Sequence, residues 1–134
     1  MSKINSIITL INNTSAPIGR LLISFMFLMS GLNKIGNYSN TSGWMEAMGV
    51  SGSLLPLVII FEMLAAVAVI VGWQTKIAAF LLAGFCILSG LIFHSNFNNQ
   101  VEMIMFMKNF SIAGGFLVLV ANGAGNYSLD NRKR

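Results

Sequence analysis

Long, uninterrupted apolar runs dominate this chain, separated by short polar connections, and nowhere do apolar and polar residues alternate at period two. Four runs approach the ~20 residues needed to cross a bilayer core: Pro17–Gly36, Leu54–Trp73, Lys76–His94 and Ile104–Asn122. A membrane β-barrel would need alternating segments. The pattern instead predicts an all-α, integral membrane four-helix bundle, because each span must satisfy its own backbone hydrogen bonds in lipid. Only the turn Gly72-Trp73-Gln74-Thr75-Lys76 separates the second and third spans, which implies an up-down, antiparallel arrangement. Pro17 suits a first helical turn, where its missing N–H costs nothing.

Residues 1–16 do not read as a cleavable signal peptide: Lys3 is their one charge, and Asn5, Asn12 and Asn13 break their apolar run. Ile4, Ile7, Ile8 and Ile11 fall at helical spacing, so this segment is either a helix lying in the membrane interface or a frayed tail. Residues 17–122 then form the transmembrane domain, and residues 123–134 a basic tail.

Charge sets the orientation. Lys3, Arg20, Lys76, Arg132, Lys133 and Arg134 fall on one side, against Lys34 and Lys108 on the other. The positive-inside rule then puts both termini in the cytoplasm, in a multi-pass inner (plasma) membrane protein. Tyr38 and Trp44 at the outer rim, and Trp73 and Tyr127 at the inner rim, are placed as an aromatic belt.

Composition narrows the function. Of 134 residues, 55% are hydrophobic and 9% charged, and the mean hydropathy is +0.75. A soluble domain carries about 25% charged residues, so a soluble enzyme, a disordered tail and a nucleic-acid-binding module are excluded. The pI of 9.7 therefore reflects contact with anionic headgroups. One cysteine, Cys86, allows no intrachain disulfide and no CxxC pair, and it reads as a small buried hydrophobe. One histidine, His94, cannot give a haem two imidazoles, and no residue set suggests a metal site. No motif binds a cofactor, so the chain by itself carries no electrons.

Within the spans, Ala79 with Ala83 and Ser111 with Gly115 form small-xxx-small pairs that let helices approach closely. Glu62 is the polar residue that demands explanation. It lies eight residues inside Leu54, about 12 Å below the outer surface. A carboxylate at such depth costs about 2.5–3.5 kcal/mol, which calls for a partner, a proton or a polar cavity. It is either a group that handles protons or hydrogen-bonds a ligand, or an interhelical tie that fixes the bundle.

Five other polar residues share that half of the membrane. Asn33 and Lys34 close the first span, His94 closes the third, and Lys108 with Asn109 opens the fourth. The lysines lie about 3 Å and 6 Å inside the boundary, from which they either turn inward or extend to the interface. Turned inward, they would form an outward-half polar pocket around Glu62, to which Ser30 and Ser89 add hydroxyls. Arg20, at the other end of its helix, has three candidate tasks: contact with lipid phosphate, capping of neighbouring helices, or pairing with Asp130.

In their order and spacing these residues resemble the DoxX-like family of small inner-membrane proteins. The likeness runs from Arg20 through Gly31-Leu32-Asn33-Lys34, Glu62, the Gly72–Lys76 turn, His94 and Asn109. It ends at Gly123-Ala124-Gly125-Asn126-Tyr127-Ser128-Leu129-Asp130, similar to the family's Gly-Pro-Gly-x-x-Ser-Leu-Asp with Ala124 in place of proline. The resemblance implies a four-helix membrane protein linked to quinone-associated redox chemistry. Relatives include a subunit of a thiosulfate:quinone oxidoreductase, and others tied to oxidative stress or to catechols and quinones.

Three functions follow from these readings. The first is a quinone-linked redox subunit or accessory protein. In it Glu62 handles protons or hydrogen-bonds the ligand, with Lys34, Asn33, His94, Lys108 and Asn109 around it, and a partner subunit supplies the electrons. Arg20, Gly31, Gly123, Gly125 and Asp130 are then structural. The second is a small exporter of aromatic or lipophilic compounds, and the third a membrane anchor or assembly factor. Lipid surrounds the chain in every case, and four short helices with a thin core favour a homo-oligomer.

Overall fold

A computed structural model describes residues 2–132; Lys133 and Arg134, counted above on the cytoplasmic side, lie outside the described residues. Among these the chain is all-helical, without strands. Helix α1 spans Ser2–Gly36, α2 Tyr38–Ala47, α3 Leu55–Val71, α4 Thr75–Phe93 and α5 Gln100–Asn122, with a short 3-10 turn at Gly52–Leu54 leading into α3. All but α2 belong to helical segments long and apolar enough to cross a membrane.

Helix α1 is longer than the first apolar run. It continues from Ser2 through Pro17, which stands inside the helix rather than in its first turn. Proline there cannot donate to the carbonyl of Asn13. The hydroxyls of Thr14 and Ser15 bond back to Leu10 O at 2.8 Å and Ile11 O at 2.5 Å.

Side-chain chemistry sets the other helix ends. The Asn99 carboxamide oxygen caps α5 by accepting from Val101 N at 2.9 Å and Glu102 N at 3.3 Å. Helix α3 stops at Gly72, whose φ of +75° is left-handed. Trp73 N donates to Ala68 O at 2.8 Å and Gly72 N to Val69 O at 3.1 Å, which is the paired closure of a Schellman motif.

Helix α1 packs on α3, α3 on α4, and α4 on α5. Alanine makes the close approaches possible: Ala65 and Ala66 of α3 and Ala78, Ala79 and Ala83 of α4 are all buried in one cluster. Cys86 sits fully buried in the same cluster. Phe27 and Phe116 fill its α1–α5 side with ring centroids 5.6 Å apart. Gly31 lets α1 meet α3, since a Cβ there would fall 2.4 Å from Met63 Cγ. Ser111, by contrast, is exposed, so only Gly115 of its pair meets another helix, through Ile23. Most large apolar side chains of the long helices point outward, Leu22, Leu64 and Phe80 among them. That exterior suits hydrocarbon rather than water.

Helix α2 folds over one end of the packed helices. Its Met45 is buried with Leu55 and Ile59 of α3, backed by Val50, Met63 and Phe93. The C-terminal tail closes the opposite end.

Candidate functional site

At the α2 end, a cavity of about 450 Å³ opens among α1, α2, α3, α4 and α5. Every polar residue placed in this half from the sequence lines it: Asn33 and Lys34 from α1, Glu62 from α3, His94 at the end of α4, and Lys108 and Asn109 from α5. Ser30 and Ser89 line it as well. Lys34 turns inward rather than out to the interface.

The ammonium of Lys34 pairs directly with Glu62 Oε1. It also donates to Ser30 Oγ at 3.1 Å, one helical turn earlier in α1. Glu62 is 1% exposed and Lys34 23%, so the carboxylate is the deeper partner and the lysine reaches it from the cavity side. Such a pair persists in a low-dielectric site only when further hydrogen bonds support it. The Ser30 hydroxyl supplies one. Among the described residues the one hydrogen bond to the Glu62 carboxylate is that of Lys34 to Oε1. The Phe85 ring, its centroid 6.0 Å from Lys34 Nζ, forms an apolar wall beside the cation.

The α4–α5 side is held by a second pair. His94 is buried, and its Nδ1 lies 2.9 Å from Glu102 Oε2 in the first turn of α5. Asn109 donates one N–H to Met105 O at 3.1 Å, which leaves its second N–H and its carbonyl oxygen. Lys108 is exposed and lines the cavity, with no ion pair among the described residues.

Three features of the site were not legible in the sequence. Helix α2 brings Thr41 and Trp44 into the wall, with the indole 4.6 Å from Phe93 and 6.0 Å from His94 by ring centroids. Trp44 followed by Met45 and Met48, apolar residues one helical turn apart, is the one trace of this helix in the linear pattern. Glu102 was missed too, and its signal was an acid just after a capping asparagine. Phe85 gave no sign, being one apolar residue among many in its span.

The opposite end is tied by Arg20. Its guanidinium is 1% exposed and spends itself on carbonyls. Nη1 donates to Ile70 O at 2.8 Å, and Nη2 to Asn126 O at 3.1 Å and Tyr127 O at 2.8 Å. It thus caps the end of α3 and holds the tail with one planar fork.

The tail then pairs Leu129 N with Val71 O at 3.1 Å and Asp130 N with Gly72 O at 2.8 Å. Asp130 caps α4 from across the turn, its carboxylate accepting Gln74 N at 2.8 Å and Thr75 N at 2.9 Å. Partial burial pushes the Asp130 carboxyl up, but these amides and the nearby Arg20 charge outweigh it and hold it below the usual carboxylate range. Gly123 ends α5, its N bonded to Leu119 O at 2.7 Å. Gly125 lies so close to α1 that a Cβ would stand 2.5 Å from that of Ala16.

Four membrane-length helices around a polar cavity, with a lysine paired to a buried glutamate in its wall, define a small helical membrane protein. Residues 16–95 match the DoxX family, and the chain belongs to that family. It is 45% identical over 113 residues to Inner membrane protein YqjF of Escherichia coli strain K12, covering 84% of this chain and 87% of that protein. It is 30% identical over 122 residues to Inner membrane protein YphA of the same organism, covering 86% and 87%. No solved structure matches.

Proposed function

We propose that this chain is an inner-membrane protein whose cavity binds the oxygenated ring of a quinone-class compound, as a subunit or accessory protein of a membrane redox system. The observation that carries this reading is the Lys34–Glu62 pair set into a cavity with His94, Asn33, Lys108 and Asn109. Lys34 offers N–H donors to a ring carbonyl, and Glu62 Oε2 accepts from a quinol hydroxyl or takes its proton. Asn109 and Asn33 orient the ring, while His94, held by Glu102, and Lys108 close the cavity. Arg20, Gly31, Gly123, Gly125 and Asp130 hold the fold around it. The chain has no electron-carrying motif, so a partner subunit bearing a redox group carries the electrons.

The relatives named as inner-membrane proteins support the location. The basic residues support cytoplasmic termini, with the cavity in the outer half. The contacts of Arg20 with the end of α3, and of Gly31 with Met63 earlier in it, support an antiparallel α1–α3 pair. Residues 17–122 then form the membrane domain, residues 2–16 are the N-terminal extension of α1, and the segment from residue 123 onward is the tail. The thin core favours self-association in the bilayer.

Native mass spectrometry of the protein in mild detergent from its own membranes tests the reading, together with Glu62→Gln. A retained quinone, lost in Glu62→Gln while the protein still accumulates, is the expected result. Unchanged quinone retention in Glu62→Gln would overturn the role of Glu62. A protein that carries only phospholipid would move the weight to a transporter or a membrane anchor.

A further inference from the structure

The polar cavity has a neighbour. A second chamber of about 330 Å³ lies between α2, α3 and α4, and its lining is almost wholly apolar. Val58, Leu88 and Ile92 line this chamber and not the polar cavity. The two share a wall: Lys34, Thr41, Trp44, Phe85 and Ser89 line both. The Lys34 ammonium, paired with Glu62, therefore marks the place where the polar chamber meets the apolar one.

The apolar chamber also reaches the outer surface. Leu54, Leu88 and Ile92 in its lining are 45%, 60% and 42% exposed, on the side of α3 and α4 that meets lipid. Away from Lys34, Thr41 and Ser89 on the shared wall, the chamber is lined by apolar side chains with little to offer a polar molecule, whereas an alkyl chain gains about 0.8 kcal/mol per methylene moved out of water. That gain does not arise for a chain leaving lipid, so the chamber's contribution is to position a chain that is already in the bilayer.

We propose that the apolar chamber is a tail subsite, so that the ligand is a ring compound bearing a hydrocarbon chain that enters sideways from the bilayer. The inference rests on the ring-binding reading of the polar cavity and adds the ligand's second half. The oxygenated head lies against Lys34 and Glu62, the chain passes between Trp44 and Phe85, and it leaves toward lipid past Leu88 and Ile92. A water-soluble catechol or short quinone fills half of the site.

Trp44 lines both chambers, and the chain has two tryptophans. In full-length protein carrying Trp73→Phe, its fluorescence therefore reports a quinone bound at the junction. The probes are a 1,4-benzoquinone bearing a decyl chain and the same ring without it. Trp44→Phe protein, in which Trp73 senses only quinone dissolved in the micelle, supplies the correction.

The decyl probe is expected to quench Trp44 at a corrected concentration several-fold lower than the bare ring, because protein walls pack against the chain more closely than fluid lipid does. Val58→Phe, which fills the far wall, should remove that advantage and leave the bare ring unaffected. Leu88→Phe at the exposed rim does the same where Val58→Phe impairs folding. Equal affinities, or an advantage that survives both variants, would overturn the tail subsite while leaving the ring site standing. Failure of both probes to quench Trp44 would overturn the ring site and the subsite together.

Discussion

The imidazole Nδ1 of His94 lies 2.9 Å from Glu102 Oε2 and ties the start of the six-residue α4–α5 loop, residues 94–99, to the first turn of α5. The pair fixes the rim of the polar cavity. Removing either partner should destabilise the protein, and removing both should cost little more than removing one. In a double-mutant cycle of His94→Gln and Glu102→Gln, read by thermal unfolding in micelles, a coupling of about 1 kcal/mol is expected. Strict additivity would show that the pair contributes nothing.

The two partners of the central pair are unequal. Glu62 is 1% exposed, while Lys34 retains 23% and a long flexible stem. Lys34→Met strands a buried carboxylate and should cost about 3–5 kcal/mol. Glu62→Gln leaves a lysine that can extend toward the interface, for about 1 kcal/mol. The double variant should accumulate better than Lys34→Met alone. The comparison is read from folded yield and melting temperature in one detergent, and the reverse order would contradict the depth assigned to each group.

Asp130 gives the tail closure a pH dependence. Its carboxyl is held below the ordinary value, so its stabilisation is fully present above the unfolded value of about 3.9 and is lost as pH falls through the folded one. Because the group is exposed, the effect is small: Asp130→Ala should lower stability by about 0.5–1 kcal/mol at pH 7, the low end for a lost helix cap. The gap between the two proteins should narrow steadily as pH falls below about 3.9. Melting curves from pH 7 down to pH 2 check this, and a gap that does not narrow over that range would count against the carboxylate as the cap.

Two glycines should respond in opposite directions. A Cβ at Gly72 would stand 2.2 Å from Ser128 Cβ and 2.8 Å from Arg20 Nη1, on a backbone with φ of +75°. Gly72→Ala should therefore displace the tail and cost at least about 1–2 kcal/mol. At Gly19, inside α1, a Cβ meets nothing within 4 Å. Gly19→Ala should stabilise the helix by about 0.5–1 kcal/mol. Protease access to the tail, measured beside the melting temperature, separates a lost closure from a general loss of stability.

Much of this protein is readable along the chain because lipid imposes a length rule. Bounds from apolar runs fall within a few residues of α3, α4 and α5 at nearly every end, since Gly72, Asn99 and Gly123 mark ends by their own chemistry. The start of α5 lies four residues earlier, at Gln100 against Ile104, because Glu102 faces His94 and so tolerates a place in the helix. The region 37–53 reads as a loop because its helix buries only Met45 and carries little contrast between faces. Residues 2–16 leave helix and tail equally open in the sequence, and the structure carries α1 through them.

By itself the sequence determined the number of spans, their length, and the residues whose polarity is out of place in hydrocarbon. Glu62, Lys34, Asn33, His94, Lys108 and Asn109 stand out because burying them in lipid is costly wherever each helix faces. The sequence did not determine which way the helices turn. With apolar residues all round α3 and α4, the pattern holds little record of which side faces a neighbour and which faces lipid. Tertiary packing decided that rotation through alanine contacts and the fit of Gly31 against Met63. It thereby set Lys34 on Glu62, folded Trp44 over them, and brought Arg20 and Asp130, 110 residues apart, to opposite sides of one turn.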